Sequence, residues 1–288
     1  MKFCYIAPAS LLDLTENLSS SLSTPDHRAH LILAHLLDRD GPDYNPEYAK
    51  WYASRSKDGL LKILDNSAFE LVKQGRQLFN PDKLIDLAYE VGANYVVMSD
   101  YPGKPAGKTI AAAHKQAPEF CRAGLGTFFV PQSEVGNVEE YISCFAWAAT
   151  SPLVNYIGVS ILGVPNAYGV ESGNKLQRYL SRYAMMHILK DRGILEIAKR
   201  NNKRIHFLGM VDGPKEIDLV KYFTVDSWDS SAPVWYAANG IEFDSSPTGA
   251  IAGKFEKHVD FSAVYTDTEL LDIVARVRHN ISFINEML

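Results

Sequence analysis

The stretch LLKILDNSAFEL, residues 60–71, changes character in its middle. Its first five residues are apolar except for Lys62, which suits a strand buried on both faces. With no spacer the run passes into Asp65, Asn66, Ser67, Ala68, Phe69 and Glu70. A core strand that ends in an acid, an amide and two small residues is open to two interpretations. Either Asp65 caps a helix on a surface turn, or this strand end is the rim of a site. The neighbouring segments bear on the choice.

Working outward, the pattern recurs. KFCYIA (2–7), YVVMSD (95–100), GTFFVPQ (126–132), NYIGVSI (155–161), RIHFLGM (204–210) and YFTVDSW (222–228) also read as strands. Helices lie between them. NPDKLIDLAYEVG has an Asn80 cap, Pro81 at its first position and Gly92 past its end. GNVEEYISCFAWAA, GNKLQRYLSRYAMMHILKDRG and GPKEIDLVKY suit helices as well. Seven strand–helix alternations, with an eighth strand expected within 240–265, predict an α/β fold of the (β/α)8 barrel type, one domain over 1–288. Segment 8–59, with PDHRAHLILAHLLD in it, reads as a helical insertion after strand 1. Residues 266–288 read as a C-terminal helix opened by a capping box from Thr266 to Glu269. A doubly wound open sheet is the alternative, and no Gly-x-Gly-x-x-Gly turn supports it.

Composition narrows the class. With 288 residues, 47% of them hydrophobic and 22% charged, the chain has globular composition and ample material for a large core. No apolar run reaches the ~18–20 residues of a membrane span. MKFCYIAPAS is too short and too Tyr-rich for a signal peptide. The three cysteines, Cys4, Cys121 and Cys144, are scattered and form no disulfide or zinc pattern, the usage expected of a reducing cytoplasm. A net charge of −5 argues against a strongly basic nucleic-acid coat but permits a local basic strip.

The positions of the polar residues carry more. The strands end in Asp65, Asp100, Gln132, Gly158-Val159-Ser160, Met210-Val211-Asp212, and Asp226 with Asp229. In a barrel such ends converge on one face, where catalytic loops sit. Asp212, ahead of GPKE, suits a helix cap. Asp65 and Asp100 suit one less, because neither precedes a helix start. The His-x-His of metal-dependent barrel hydrolases is replaced at strand 1 by Tyr5-Ile6-Ala7-Pro8. Of eight histidines only His206 falls in a predicted barrel strand, where packing is the ordinary role. No metal or cofactor is therefore expected. Clustered carboxylates suit glycosyl chemistry instead, one as nucleophile at an anomeric carbon and one as general acid/base. Asp beside Gln also suits recognition of a purine edge, because the carboxylate accepts while the amide both donates and accepts.

Five of these segments resemble, in order, motifs of the tRNA-guanine transglycosylase superfamily, barrel enzymes that exchange guanine for 7-deazaguanines. LDNSAFEL is similar to the family's Asp-Ser-Gly-Gly-Phe-Gln loop, which implies that Asp65 is the general acid/base. VVMSDYP and FFVPQSE resemble the segments that carry the base-recognising Asp and Gln, implied here to be Asp100 and Gln132. YIGVSILG resembles the strand end whose backbone meets the purine, implied to be Gly158 and Val159. HFLGMVDGPKEIDLVKYFTVDSWDSSAP resembles the segment leading to the nucleophile, implied to be Asp229, with Asp226 holding the strand end. Phe69, Tyr101 and Tyr168 are candidate stacking walls. Lys104, Lys108, Arg178 and Arg182 are candidate contacts to the nucleic-acid backbone, the two arginines one helical turn apart.

The departures are informative too. No cysteine follows Cys144, so the zinc subdomain of the tRNA enzymes is missing, and the loop after YIGVSILG lacks their glutamate. This is similar to the DNA-acting branch of phages and bacterial DNA-modification clusters, which inserts bases such as 7-cyano-7-deazaguanine. The resemblance implies a cytoplasmic pentosyltransferase that replaces guanine in DNA through a covalent Asp–glycosyl intermediate. Its partners would be DNA, the free 7-deazaguanine base and helper DNA-modification proteins, with no membrane. The alternatives are a zinc-less tRNA-guanine transglycosylase, a glycosidic hydrolase, and an inactive barrel that binds nucleic acid.

Overall fold

Short apolar runs rich in Val, Ile, Leu, Phe and Tyr become parallel strands because helices cover their outer faces and side chains fill the space between them. The computed structural model of the chain describes every residue except Ser172, Val211, Asp212, Thr224 and 251–257. The cap predicted at Asp212 lies outside the described residues. Eight strands, β1 (Lys2–Tyr5), β2 (Arg28–Leu33), β3 (Leu61–Asp65), β4 (Tyr95–Val97), β5 (Gly126–Phe129), β6 (Tyr156–Ser160), β7 (Arg204–Leu208) and β8 (Ser227–Ser230), close into a barrel in chain order. Every neighbouring pair is parallel, including β1 with β8, where Cys4 stands opposite Asp229.

Two sequence expectations are corrected. The eighth strand is β2, inside the segment expected to be a helical insertion, and the described residues of 240–265 contain no strand. Segment 8–59 does hold the helices Leu12–Leu22 and Pro46–Ser54, but they flank a barrel strand. The reason is physical. RAHLIL runs straight into the short helix Ala34–Leu37 with no turn residue, and the two patterns merge into one helix-like period. The outward-facing His30 is not solvated either, because the Trp51 and Tyr52 rings pack on it at 5.9 and 5.6 Å. The last strand starts later than its apolar run suggests. Asp226 precedes it and ties it down, accepting from the Ile205 N–H through Oδ2 at 2.8 Å.

Alternation along each strand sends every second side chain inward. The barrel centre is aromatic. Phe128 stacks on Tyr156 at 5.4 Å between ring centroids, and His206 meets Phe128 edge-on at the same distance. Gly158 makes room for them, since a Cβ there would lie 2.5 Å from Phe128 and 2.8 Å from Leu208.

The helix ends follow the sequence signals. Asn80 accepts from the Lys83 N–H, Gly92 closes that helix in the left-handed conformation, and Thr266 forms the capping box with Glu269. The final helix, Asp267–Asn285, buries Ile273, Val277, Ile281 and Ile284 on one stripe against helices Leu12–Leu22 and Ala232–Ala238. Among the described residues no helix is long and apolar enough to cross a membrane.

Candidate active site

At the C-terminal ends of the strands the barrel opens into a cavity of about 840 Å³. Asp65, Asp100 and Asp229 all line it, from β3, from just beyond β4, and from β8. The interior below is aromatic and packed, so the polar ends of the strands become the floor and walls of one chamber.

Asp229 points inward from β8 and is held on one oxygen. Its Oδ1 accepts from His206 Nε2 at 2.9 Å and from the Gly209 N–H at 3.2 Å. His206 is supported from behind, with Nδ1 2.7 Å from Ser227 Oγ, which lies 3.1 Å from the Tyr156 hydroxyl. Gly209 is fixed by its carbonyl, which accepts from Arg182 Nη2 at 2.7 Å and Trp228 Nε1 at 2.8 Å.

Asp65 ends β3 and organises the turn beyond it. Its Oδ2 accepts from the Ser67 N–H at 3.0 Å, and Asn66 Oδ1 accepts from the Ala68 N–H at 2.8 Å. These two local loops hold Ser67 at φ 55°, ψ 32°, a left-handed conformation that costs a non-glycine residue on the order of 1 kcal/mol. The wholly buried Ser67 hydroxyl is locked against His35, 2.8 Å from Nδ1 and 3.1 Å from the backbone nitrogen. Burial lowers His35 to about 4, so its ring is neutral at pH 7. The strand end is therefore a turn cap and a cavity wall at once. Burial pushes the Asp65 carboxyl well above the ordinary range, and the nearby Glu70, Asp100 and Asp229 push it the same way.

Asp100 is clamped by amides. Its Oδ1 accepts from Asn66 Nδ2 at 3.1 Å and its Oδ2 from Gln132 Nε2 at 2.7 Å. Burial raises its carboxyl to about 6 despite those donors. Gln132 is fully buried and lies outside the cavity lining, so the expected base contact is corrected to a support for Asp100, and its Oε1 has no partner among the described residues.

Of the other residues expected at the site, Phe69 stands at the cavity rim, 47% exposed, and Arg178 lines the wall. Five more expected residues are corrected. Gly158 and Val159 do not reach the cavity, which β6 lines through Ser160 and the adjoining Ile161 and Leu162. Gly158 is small because Phe128 crowds it, and the Val159 carbonyl faces outward to Arg182 Nη1 at 3.2 Å. Tyr101 and Tyr168 lie outside the cavity lining, and the Tyr101 ring sits 4.0 Å beneath the Lys108 ammonium. Arg182 is no backbone contact. It is wholly buried outside the barrel wall and paired with Glu216, so it cannot meet a phosphate. Lys104 and Lys108 are exposed beside the strand end.

Residues unassigned from sequence complete the site: Asn66, Glu70, His35 and His206. Asn66 and Glu70 lie in the quoted strand end itself. His35 comes just after the unforeseen β2, and His206 shares β7 with a segment read for other reasons. Among the described residues no group of three or more His, Cys, Asp or Glu side chains has the arrangement to hold a metal ion. No protein-family model and no curated protein matches the chain. The arrangement places Asp229 and Asp65 around one chamber. One is fed by fixed donors, and the other is driven toward its protonated form.

Proposed function

We propose that the chain is a base-exchange glycosyltransferase that replaces guanine in DNA with a 7-deazaguanine. One observation carries this reading. Asp229, held at Oδ1, and Asp65, pushed toward protonation by burial, line the same cavity. That is the pairing a two-step displacement at an anomeric carbon requires.

A target guanine leaves the stack to reach the cavity, because its C1′ and pairing edge are covered in the duplex. Asp100 receives the purine edge, with Asn66 and Gln132 holding it in place. Asp229 Oδ2 attacks C1′ as the C1′–N9 bond breaks, and protonated Asp65 gives its proton to the departing guanine. A 7-deazaguanine then takes the same position. Asp65, now a carboxylate, removes the N9 proton as N9 attacks C1′ and Asp229 departs. Protons and electron pairs balance over the two steps, and the enzyme returns to its starting state. Phe69 at the rim offers a ring face for stacking, while Lys104, Lys108 and Arg178 offer charge near the mouth.

DNA is favoured over tRNA by the segment C-terminal to Asp229. SSAPVWYAANGIEF forms the helix Ala232–Ala238, which packs on the final helix, where the tRNA enzymes carry zinc cysteines. The test is mass-detected incorporation of 7-cyano-7-deazaguanine into matched duplex DNA and tRNA. Incorporation into DNA is expected. Incorporation into tRNA alone would assign the other substrate, and abasic product without incorporation would assign a hydrolase.

A further inference from the structure

We infer that His206 is a positioning residue for Asp229, its ring held by Ser227 and Tyr156 so that Nε2–H is directed at Oδ1. It thereby leaves Oδ2 as the reacting oxygen. This rests on the reading of Asp229 as the nucleophile.

The chain of contacts runs Tyr156 hydroxyl, Ser227 hydroxyl, His206 ring, Asp229 carboxylate, at 3.1, 2.7 and 2.9 Å. Hydrogen-bond chemistry gives it a direction. An ionised carboxylate only accepts, so His206 Nε2 carries a hydrogen and donates. On the other side of the ring, Nδ1 meets the Ser227 hydroxyl, and the Tyr156 hydroxyl holds that hydroxyl in turn, so the ring has one orientation. It is fully buried and stands edge-on to Phe128. No member other than Asp229 lines the cavity, so the other three act through the carboxylate and not on the substrate.

This arrangement serves both half-reactions. With Oδ1 occupied by His206 and Gly209, the carboxylate cannot rotate, and Oδ2 is presented in one orientation. The same donors stabilise the charge that returns to Asp229 when the incoming base displaces it.

The test combines a spectroscopic and a kinetic readout. Nitrogen-15 NMR of protein labelled in its histidine rings reports the tautomer, with the His206 signals assigned by their loss in His206→Gln. A hydrogen on Nε2 is expected at pH 7. A bare Nε2 would overturn the inference. Ser227→Ala, which removes a hydroxyl outside the cavity, is expected to slow single-turnover adduct formation on duplex DNA at least tenfold with DNA affinity unchanged. Tyr156→Phe, one step further back, is expected to slow it less, and His206→Gln, whose amide can still donate, to retain more activity than His206→Leu. Equal rates in wild type and Ser227→Ala would also overturn the inference. A wild-type protein that forms no adduct would instead sink the base-exchange reading, and the tautomer would still decide the role of His206.

Discussion

Arg182 and Glu216 form a two-point ion pair, Nε to Oε1 at 2.7 Å and Nη2 to Oε2 at 2.6 Å, with neither side chain exposed. The guanidinium lies over the Phe207 and Trp228 rings at 5.0 and 5.3 Å and also donates to the Val159, Leu208 and Gly209 carbonyls. Its planar fork thus staples the ends of β6 and β7 behind the site, a geometry that Lys cannot reproduce. Removing one member takes a buried charge from its ion-pair partner, which costs about 3–5 kcal/mol. Arg182→Ala is expected to lower the urea unfolding midpoint accordingly, and Arg182→Met with Glu216→Leu to recover much of the loss. An Arg182→Ala protein of normal stability and weakened DNA binding would restore the phosphate-contact role.

Asp100 ties stability to pH. Its carboxyl rises from the ordinary ~3.9 to about 6, so the folded chain holds a proton that the unfolded chain releases between those values. Its contribution to stability therefore falls as pH rises from about 4 to about 6 and is level above that. Asp100→Asn removes the effect and still accepts from Asn66, while a rotated Gln132 amide turns its unpartnered Oε1 to the new NH2. The stability of Asp100→Asn relative to wild type is expected to grow by roughly 2–3 kcal/mol across that window. Unfolding curves at pH 4, 5, 6 and 7 measure it, and a pH-independent difference would contradict the assignment.

On the base-exchange reading, Asp65 sets the pH dependence of the first half-reaction. Its raised pKa keeps the acid form available for the departing guanine, so single-turnover adduct formation is expected to decline as pH rises through that pKa. Asp65→Asn is expected to lose about 10²–10⁴-fold in rate and to lose this limb as well. An unchanged pH–rate profile in the variant would assign the proton transfer to another group.

Gly158 separates a packing role from a purine contact. Gly158→Ala brings a methyl group against Phe128 and is expected to cost about 1–3 kcal/mol by overpacking. Adding Phe128→Leu is expected to return part of it, since the two residues touch. Apparent affinity for the free base should stay unchanged in the folded variants. A weakened affinity without lost stability would put the Gly158 backbone at the base.

The barrel was legible in the sequence because its strands are apolar runs that stop at polar residues, and Asp65, Asp100, Gln132 and Asp229 lie at or just beyond those stops. What stayed hidden depends on contacts between distant segments. β2 is masked because it abuts a helix without a turn, and with it went His35. β8 reads SWDS, with Ser227 and Asp229 inward. Its inward polar residues break the apolar alternation that marks a strand. Arg182 has the spacing of an exposed basic pair with Arg178, and only Glu216, 34 positions away, reveals it as buried. His206 looks like core filling until Ser227 and Asp229 are placed on either side of its ring.

The central claim is that Asp229 forms a bond to a nucleoside C1′. Intact-mass analysis of the protein after incubation with guanine-containing duplex DNA and a denaturing quench tests it directly. The wild type is predicted to gain the mass of the DNA strand less one guanine, and Asp229→Asn to gain nothing. Absence of the adduct from the wild type, or the same adduct on Asp229→Asn, would contradict the claim.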